Sequence, residues 1–343
     1  MNPLFPFLRR IRLRAALTAL ASAAFVLALA TPLLIRAATT PANVIAPGAG
    51  SSVPGEGFEV TDLEWTDTQR ARRVPARLFW PASAHSGKVP LIVFSHGIGS
   101  SRDGYTYLGR YWASRGIASL HLQHVGSDRA LWQGNPLSVF SRFQAAASEA
   151  EAVARVQDFR FALDQLLKGG YGAHIARERI VAAGHSYGAN TTLMVAGARV
   201  MRNGHLLQLR DPRVSAAIVI SAPPFYGEQD FVPILSGITV PTLHVTTLDD
   251  VIRIPGFGSG IEDRLKVFNA TGGPKVLAVY RHGSHNVFTE KRYFDTLAVA
   301  TEVKESTEAL SLAFLAQAYG EKQGMDPWMQ SQRGVFARYE QRQ

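Results

Sequence analysis

The residues best suited to covalent chemistry lie in one short stretch, Gly184-His185-Ser186-Tyr187-Gly188. The serine of a G-x-S-x-G turn occupies a strained corner between a strand and a helix, and its two glycines remove side chains that would collide with neighbouring backbone. An apolar run at 180–183 precedes the turn, and an Ala-rich stretch at 189–199 follows it. Because a buried strand and a helix are the context that such a turn requires, the pattern predicts Ser186 as a nucleophile.

Chain order narrows the search for a base. A serine hydroxyl is a weak nucleophile that needs a histidine oriented by a carboxylate, and after such a turn the acid precedes the histidine. The histidines downstream are His205, His244, His282 and His285. The first lies in a polar stretch and the second in the middle of a strand-like segment. His285 is the predicted base, because the Gly-Ser turn before it can carry it over the sheet edge, and His282 is the alternative.

The orienting acid is expected in the loop after the strand-like segment 242–246. Asp249 is the predicted acid, and its neighbour Asp250 is the second candidate. Glu228 and Asp230 follow the preceding strand and offer a third position. Any of these carboxylates can instead be a solvated loop charge or a helix cap.

Acyl transfer also needs two backbone N–H groups that bind the developing oxyanion. Tyr187, directly after the serine, supplies the first. The loop after the apolar run 90–95 supplies the second, and Ile98 is predicted for this role because Gly97 and Gly99 let the backbone approach a substrate.

Two further histidines lie in loops near this site. His96 and His124 are as consistent with hydrogen bonds to the backbone as with contact to a ligand, so neither is predicted to be catalytic. Asp128 precedes the serine in the chain, which argues against it as the acid. The segment 129–147 carries Trp132, Phe140 and Phe143 and is predicted as a lid or pocket insertion, although aromatic clusters more often pack in a core.

Strands and helices alternate along most of the chain. Strand-like segments lie at 58–64, 77–80, 90–95, 117–122, 180–183, 216–221, 242–246 and 275–280, and helical ones at 105–115, 149–168, 189–199 and 302–319. This alternation predicts an α/β fold with a mostly parallel, doubly wound sheet, helices on both faces and ligands at the carboxyl ends of the strands.

Composition limits the classes of protein. The 343 residues are 46% hydrophobic and 18% charged, enough for one large core, which is expected at 58–320. Four of the nine net positive charges lie before residue 15, and the rest form no basic stripe, which argues against nucleic-acid binding. The absence of cysteine excludes disulfides and thiol catalysis, and the scattered histidines give no cluster with the ligand spacing that a metal site needs.

The first residues are expected to lie outside the catalytic domain. A basic start leads into an apolar run, and Ala28-Leu29-Ala30 fits a cleavage site, so 1–36 is predicted as an export signal. If it stays uncleaved, 15–35 is long enough to anchor the domain in a membrane. Either outcome predicts an exported protein that is periplasmic, secreted or tethered. The Pro-, Gly- and Ser-rich stretch 37–57 is expected to be a linker, and 321–343 a C-terminal tail.

Three segments together resemble the dienelactone-hydrolase-like and platelet-activating-factor-acetylhydrolase-like branch of the α/β-hydrolases. They are Phe94-Ser-His-Gly-Ile-Gly-Ser-Ser-Arg102, Leu122-Gln-His-Val-Gly-Ser-Asp128 and the serine turn. The resemblance spans about residues 56–318 and implies an α/β-hydrolase fold that hydrolyses carboxylic esters without a cofactor. Dienelactone hydrolases proper use a cysteine nucleophile, so dienelactone is not the expected substrate.

The expected function is therefore that of a serine esterase acting on a small-molecule ester of short to medium acyl length, through Ser186, Asp249 and His285. Two alternatives stay open. One is an exported binding protein on a hydrolase scaffold, and the other is an amidase or peptidase that uses the same residues.

Overall fold

The computed structural model describes residues 51–52, 57–291, 293–321, 332 and 334–343. The predicted signal or anchor at 1–36 lies outside the described residues, as does most of the predicted linker. No helix in the described part of the chain is both long and apolar enough to cross a membrane.

A ten-stranded sheet with the order β1-β2-β3-β5-β4-β6-β9-β10-β11-β12 runs through the protein. The strands, together with the separate hairpin β7–β8, are β1 (Ser51–Ser52), β2 (Phe58–Asp67), β3 (Arg72–Pro81), β4 (Val89–Ser95), β5 (Ala118–Leu122), β6 (Ile175–His185), β7 (Met201–Arg202), β8 (His205–Leu206), β9 (Val214–Ile220), β10 (Thr242–Thr247), β11 (Lys275–Tyr280) and β12 (Phe336–Arg342). The six strands from β5 to β11 in the sheet are parallel, and antiparallel strands flank them on both sides.

Helices cover both faces of the sheet. They are α1 (Thr106–Ser114), α2 (Val139–Ala146), α3 (Glu149–Lys168), α4 (Tyr187–Ala196), α5 (Val232–Leu235), α6 (Ile261–Ala270) and α7 (Leu297–Ala318), with short 3-10 turns at Ala82–His85, Arg129–Trp132, Pro136–Ser138 and Gly172–His174. The predicted helix at 149–168 is confirmed, and it begins after Ser148, whose hydroxyl accepts a hydrogen bond from Glu151 N–H.

The alternation of side chains along β4 shows why the central strands are apolar throughout. Leu91 and Val93 pack into a cluster with α3 and α4, whereas Ile92 and Phe94 pack into a second cluster with α1 and α7. Successive side chains of a strand point to opposite faces, so a strand covered on both faces must be apolar at every position. The predicted doubly wound α/β architecture is confirmed.

The structure corrects three boundaries that the sequence suggested. Residues 336–342, expected within a tail, form edge strand β12, which pairs antiparallel with β11. Ser51 and Ser52, expected within the linker, pair with β2. Helix α7 begins at Leu297 rather than near 302, because the Thr296 hydroxyl caps it by accepting a hydrogen bond from Val299 N–H.

Removal of the buried ring on the C-terminal strand is expected to destabilise the whole domain. Phe336 is buried, and its ring centroid lies 4.9 Å from that of Tyr280 on β11. Phe336→Ala should lower the free energy of unfolding by about 3 to 5 kcal/mol, because it leaves a cavity in the core. Phe294→Ala, at a side chain that is 78% exposed, is the control and should change it by under about 0.5 kcal/mol in urea denaturation. An equal effect of the two substitutions would show that β12 is not part of the folded domain.

A buried histidine on β10 should make stability depend on pH. Burial, reinforced by nearby Lys275, lowers the pKa of His244 to about 3. The unfolded chain binds this proton near pH 6.5 and the folded chain does not, so stability falls as pH drops from about 6.5 towards 3. Between pH 7 and pH 5, His244 should remove about 2 kcal/mol from the free energy of unfolding. Urea titrations of His244→Gln should lack this loss, and those of His205→Gln, at an exposed hairpin residue, should keep it. Equal pH slopes for His244→Gln and the unchanged protein would contradict the assignment.

Candidate active site

The predicted nucleophile turn joins β6 directly to α4. Ser186 has φ of 55° and ψ of −123°, a backbone conformation that residues other than glycine rarely adopt. A Cβ added at Gly188 would lie 1.9 Å from the Ser95 carbonyl oxygen, and one added at Gly184 would lie 2.3 Å from the Gly188 carbonyl oxygen. Both positions therefore require glycine, which confirms the reason given for the spacing.

His285 meets Ser186 across the end of the sheet. Its Nε2 lies 2.8 Å from Ser186 Oγ. The loop that carries it, residues 281–287, is held by Asp295, which accepts hydrogen bonds from both the amide and the hydroxyl of Ser284 at 2.7 Å. The alternative base, His282, is exposed and contacts neither Ser186 nor Asp250.

The carboxylate that contacts the base is Asp250, so the prediction of Asp249 is wrong. Asp250 Oδ1 lies 2.7 Å from His285 Nδ1, and its side chain is completely buried. Asp249 is exposed, and its carboxylate lies 3.9 Å from His282 Nδ1. The turn after β10, closed by a hydrogen bond from Asp250 N–H to the Thr247 carbonyl, directs the second aspartate inward and the first towards solvent.

The other predicted acids lie elsewhere. Glu228 pairs with Arg202 at 3.5 Å, and Asp230 accepts a hydrogen bond from Val232 N–H. Asp128 accepts one from Ala130 N–H, which makes it the cap of a 3-10 turn.

Three side chains donate hydrogen bonds to the Asp250 carboxylate. In addition to His285, the Thr246 hydroxyl donates to Oδ2 at 2.7 Å, and Arg264 donates through Nε to Oδ2 at 3.2 Å and through Nη2 to Oδ1 at 3.1 Å. Burial alone would raise the pKa of Asp250, but His285 and Arg264 outweigh it and hold this pKa well below its usual range. An ionised Asp250 accepts the Nδ1–H of His285 and leaves Nε2 free to accept the Ser186 proton.

His185 connects the loop of His285 to the loop after β4. It is buried, and its Nε2 lies 3.0 Å from the carbonyl oxygen of His285. The Nε2–H therefore donates to that carbonyl, and Nδ1 accepts from the Tyr105 hydroxyl at 2.8 Å. The same hydroxyl accepts from Gly97 N–H at 3.3 Å. Burial and the neighbouring His285 lower the pKa of His185, which keeps the ring neutral and this chain of hydrogen bonds intact.

The loop after β4, residues 96–100, lies against Ser186, and several of its amides bond to neighbouring groups. A Cβ on Gly97 would lie 3.3 Å from Ser186 Cβ. Within this loop, Gly97 N–H donates to Tyr105, Gly99 N–H to the Ser127 carbonyl and Ser100 N–H to the Gly97 carbonyl.

Ile98 N–H has no hydrogen-bond partner within the described part of the chain. Neither does the amide of Tyr187, the first residue of α4, where no intrahelical acceptor exists. The two amides predicted for an oxyanion hole are thus both free.

The two loop histidines have structural contacts. His96 Nδ1 donates to the Gly97 carbonyl at 2.6 Å, and Nε2 accepts from His124 N–H at 3.1 Å. His124 lies between Ser95 Oγ at 3.1 Å and Asp158 Oδ2 at 3.0 Å. This second Ser-His-Asp arrangement is completely buried, so it supports the loop and is closed to a substrate.

A buried arginine that sequence reasoning missed lies beneath the loop after β4. Arg155 of α3 donates to Ser127 Oγ at 2.8 Å, to Thr191 Oγ1 at 3.0 Å and to the carbonyl of His96. Its guanidinium carbon lies 4.5 Å from the centroid of the Tyr187 ring. Burial lowers the pKa of Arg155 to about 10, so it stays charged at neutral pH. The available signal was its position on the apolar stripe of α3, beside Val156 and Phe159.

The predicted insertion 129–147 packs against two loops of the site. Leu131, Val139, Phe143 and Ala146 form a cluster with Ile98, Ala147, Ile254 and Phe257. The ring centroids of Phe143 and Phe257 lie 5.3 Å apart, and Trp132 Nε1–H donates to the Gly99 carbonyl at 2.9 Å. The insertion therefore contributes an apolar wall next to Ile98, whereas Phe140 is exposed.

Comparisons with known proteins match one segment of the sequence and the fold as a whole. Residues 69–132 match the family model of platelet-activating factor acetylhydrolase, isoform II. The matched part contains the loop after β4 but none of Ser186, Asp250 and His285. No curated protein matches the chain significantly.

Several solved structures share the fold. A ferulic acid esterase from Streptomyces cinnamoneus superposes with a TM-score of 0.53 at 21% identity, over 79% of this chain and 91% of its own. A cold-adapted esterase from an Arctic intertidal metagenomic library gives 0.52 at 16% identity, over 76% and 96%. A puromycin hydrolase S511A mutant gives 0.53 at 16% identity over 79% of this chain, which spans 41% of that protein's length.

With a mostly parallel sheet, a serine at the sharp turn between β6 and α4, and these structural neighbours, the chain has the α/β-hydrolase fold, and its residues 69–132 are similar to the platelet-activating factor acetylhydrolases.

Proposed function

We propose that this protein is a serine hydrolase that cleaves carboxylic esters through Ser186, His285 and Asp250. One observation carries the proposal: an unbroken line of hydrogen bonds from Ser186 Oγ through the His285 ring to Asp250 Oδ1, at 2.8 and 2.7 Å. This line ends at a strained serine beside two free amides. A nucleophile bonded to a base that is itself oriented by an acid is the arrangement that serine hydrolases use.

The residues would act in two stages. His285 Nε2 takes the proton of Ser186 Oγ as the oxygen attacks the ester carbonyl, and the amides of Ile98 and Tyr187 stabilise the negatively charged oxygen. The imidazolium then gives this proton to the departing alcohol, which leaves an acyl group on Ser186. Water, deprotonated by His285, attacks the acyl-enzyme, and the imidazolium returns the proton to Ser186 Oγ as the carboxylic acid is released. Asp250 stays ionised throughout and stabilises the imidazolium.

Esters of short to medium acyl length are the proposed substrates. The similarity to platelet-activating factor acetylhydrolases over residues 69–132, and two structural neighbours named as esterases, support the choice of esters. The apolar wall that the 129–147 insertion forms next to Ile98 supports an acyl group longer than formyl or acetyl. Amide cleavage is the second candidate, because another structural neighbour is a puromycin hydrolase.

Loss of the nucleophile should abolish ester hydrolysis. The full chain should hydrolyse p-nitrophenyl esters in the series acetate, butyrate, octanoate and palmitate, with an optimum at butyrate or octanoate. Ser186→Ala should reduce kcat by at least about 10⁴-fold, because it removes the hydroxyl that forms the acyl-enzyme. Matched p-nitroanilides in the same assay distinguish the two candidates, and faster turnover of an anilide than of its ester would favour an amidase. A folded protein that turns over no ester or anilide, yet binds them, would support a binding role instead.

Adjacent aspartates provide a matched test of the acid. Asp250→Asn should reduce kcat by about 10³- to 10⁴-fold, because the His285 ring loses the charge that orients it and stabilises the imidazolium. Asp249→Asn removes the same charge one residue away, on an exposed side chain, and should leave kcat unchanged. Circular dichroism should confirm that both variants are folded. Inactivation by Asp249→Asn with activity retained in Asp250→Asn would reinstate the acid that sequence alone predicted.

A further inference from the structure

We propose that Arg264 is a positioning residue of the proposed triad: it fixes the Asp250 carboxylate and, through its charge, weakens the attraction of Asp250 for an imidazolium at His285. The proposal rests on the proposed function for its catalytic consequence, but its electrostatic part can be measured without turnover.

The geometry shows a shared carboxylate. Arg264 lies on α6 and is 3% exposed, and its Nε and Nη2 each donate to a different oxygen of Asp250, at 3.2 and 3.1 Å. Oδ1 accepts from His285 Nδ1 and from Arg264 at the same time. The remaining nitrogen, Nη1, donates to Ser259 Oγ at 2.8 Å, so the guanidinium is held on both sides.

A fork that grips both oxygens fixes the rotation of the carboxylate. A single hydrogen bond from His285 leaves the Asp250 side chain free to turn about its terminal bond, whereas a two-point contact sets its plane. The Thr246 hydroxyl adds a third contact on Oδ2. These contacts set the direction of the Oδ1 lone pair, which in turn sets the orientation of the His285 ring.

The charge of Arg264 has a second effect. When His285 takes the serine proton, an imidazolium forms beside a carboxylate that a guanidinium already neutralises. Two cations on one carboxylate repel each other, and in a buried site this repulsion is screened weakly. Arg264 therefore weakens the electrostatic stabilisation that Asp250 gives to an imidazolium at His285, and a variant without this charge is expected to hold that proton more tightly.

Other charged or titratable groups lie around Asp250 and His285 on several elements, and all of them remain when Arg264 is replaced. They are His185 at the end of β6, Asp249 and Arg253 after β10, Tyr226 after β9, Asp263 on α6, and His282 and Asp295 near the loop of His285. Within the described residues, Arg264 is the one cationic side chain that hydrogen-bonds to Asp250 besides His285 itself. A comparison of Arg264 variants with the unchanged protein thus isolates its contribution.

The test uses the full chain and two readouts. The first is the rate at which a p-nitrophenyl phosphonate labels Ser186 between pH 5 and pH 9, followed by intact mass. The second is the titration of the His285 ring followed by NMR. Arg264→Met keeps an apolar stem and removes the charge, Arg264→Lys keeps the charge and removes the fork, and Arg213→Met is the control. Arg213 forms a similar two-point contact with Asp211, through Nε and Nη2, at the start of β9, away from the site.

For Arg264→Met, the acid limb of the labelling profile and the NMR midpoint should both move to higher pH by about one unit. Arg264→Lys should keep the pH profile in place but lower its plateau several-fold, because the carboxylate is less well fixed. Arg213→Met should change neither. The proposal is overturned if the acid limb of Arg264→Met stays at the pH of the unchanged protein. It is also overturned if Arg264→Lys, which keeps the positive charge, shifts the acid limb as far as Arg264→Met does.

Failure of the proposed function has a different signature. If the unchanged protein is not labelled at Ser186 at any pH, the function is wrong, and the NMR midpoints of the three variants still decide the electrostatic role of Arg264. A shift in Arg264→Met and not in Arg264→Lys supports the role, and identical midpoints overturn it.

Discussion

The strained turn at Ser186 is the constraint on which the rest of the site depends. A non-glycine residue at φ of 55° carries about 1 to 3 kcal/mol of strain and persists only where its surroundings fix it. Here the Ser186 N–H donates to the Ile220 carbonyl of β9 at 2.9 Å, and Gly188 packs directly on the Ser95 carbonyl of β4. Strands on both sides of β6 therefore hold the turn, which is why the nucleophile lies in the centre of the sheet and not at its edge.

Packing around Ser186 also joins the loop after β4 to the loop that carries His285. Gly97 rests against Ser186, and the Tyr105 hydroxyl joins Gly97 to His185, whose ring in turn holds the carbonyl of His285. These contacts require His185 to remain neutral, and burial ensures it. The base and the free amides are consequently positioned relative to each other through rigid hydrogen bonds, as electrostatic stabilisation of a transition state requires.

Sequence reasoning predicted the features that depend on periodicity and local turn chemistry. The parallel sheet followed from apolar runs that are buried on both faces, Ser186 from its glycines, and His285 from chain order. The acid could not be chosen in this way, because Asp249 and Asp250 are adjacent in a turn where no periodicity applies, and the contacts that hold Asp250 inward, from Arg264 and His285, depend on the tertiary fold. Strand β12 was missed because an edge strand buries few side chains, so its charged sequence resembles a tail.

The two buried arginines were also beyond prediction from sequence, for a related reason. Arg264 occurs among charged neighbours on α6, a pattern typical of a solvated helix face, and its partner Asp250 is fixed only by the tertiary fold. Arg155 interrupts an apolar stripe, which signals burial but not its partners. A buried guanidinium is tolerated only when its N–H groups are bonded, and both residues meet this condition with acceptors on other elements.

Their positions give the site a consistent electrostatic design. In the proposed acyl transfer, negative charge appears near the amides of Ile98 and Tyr187, and positive charge appears on His285. Arg155 lies beneath the two amides where the negative charge appears, since it contacts the His96 carbonyl and the Tyr187 ring. Its positive charge therefore favours an oxyanion at this place. Arg264 lies at the positive end, where it keeps Asp250 ionised in a buried site that would otherwise favour the protonated acid. Asp250, which Arg264 keeps ionised, is thus the group that stabilises an imidazolium at His285, while the positive charge of Arg264 limits how strongly it does so.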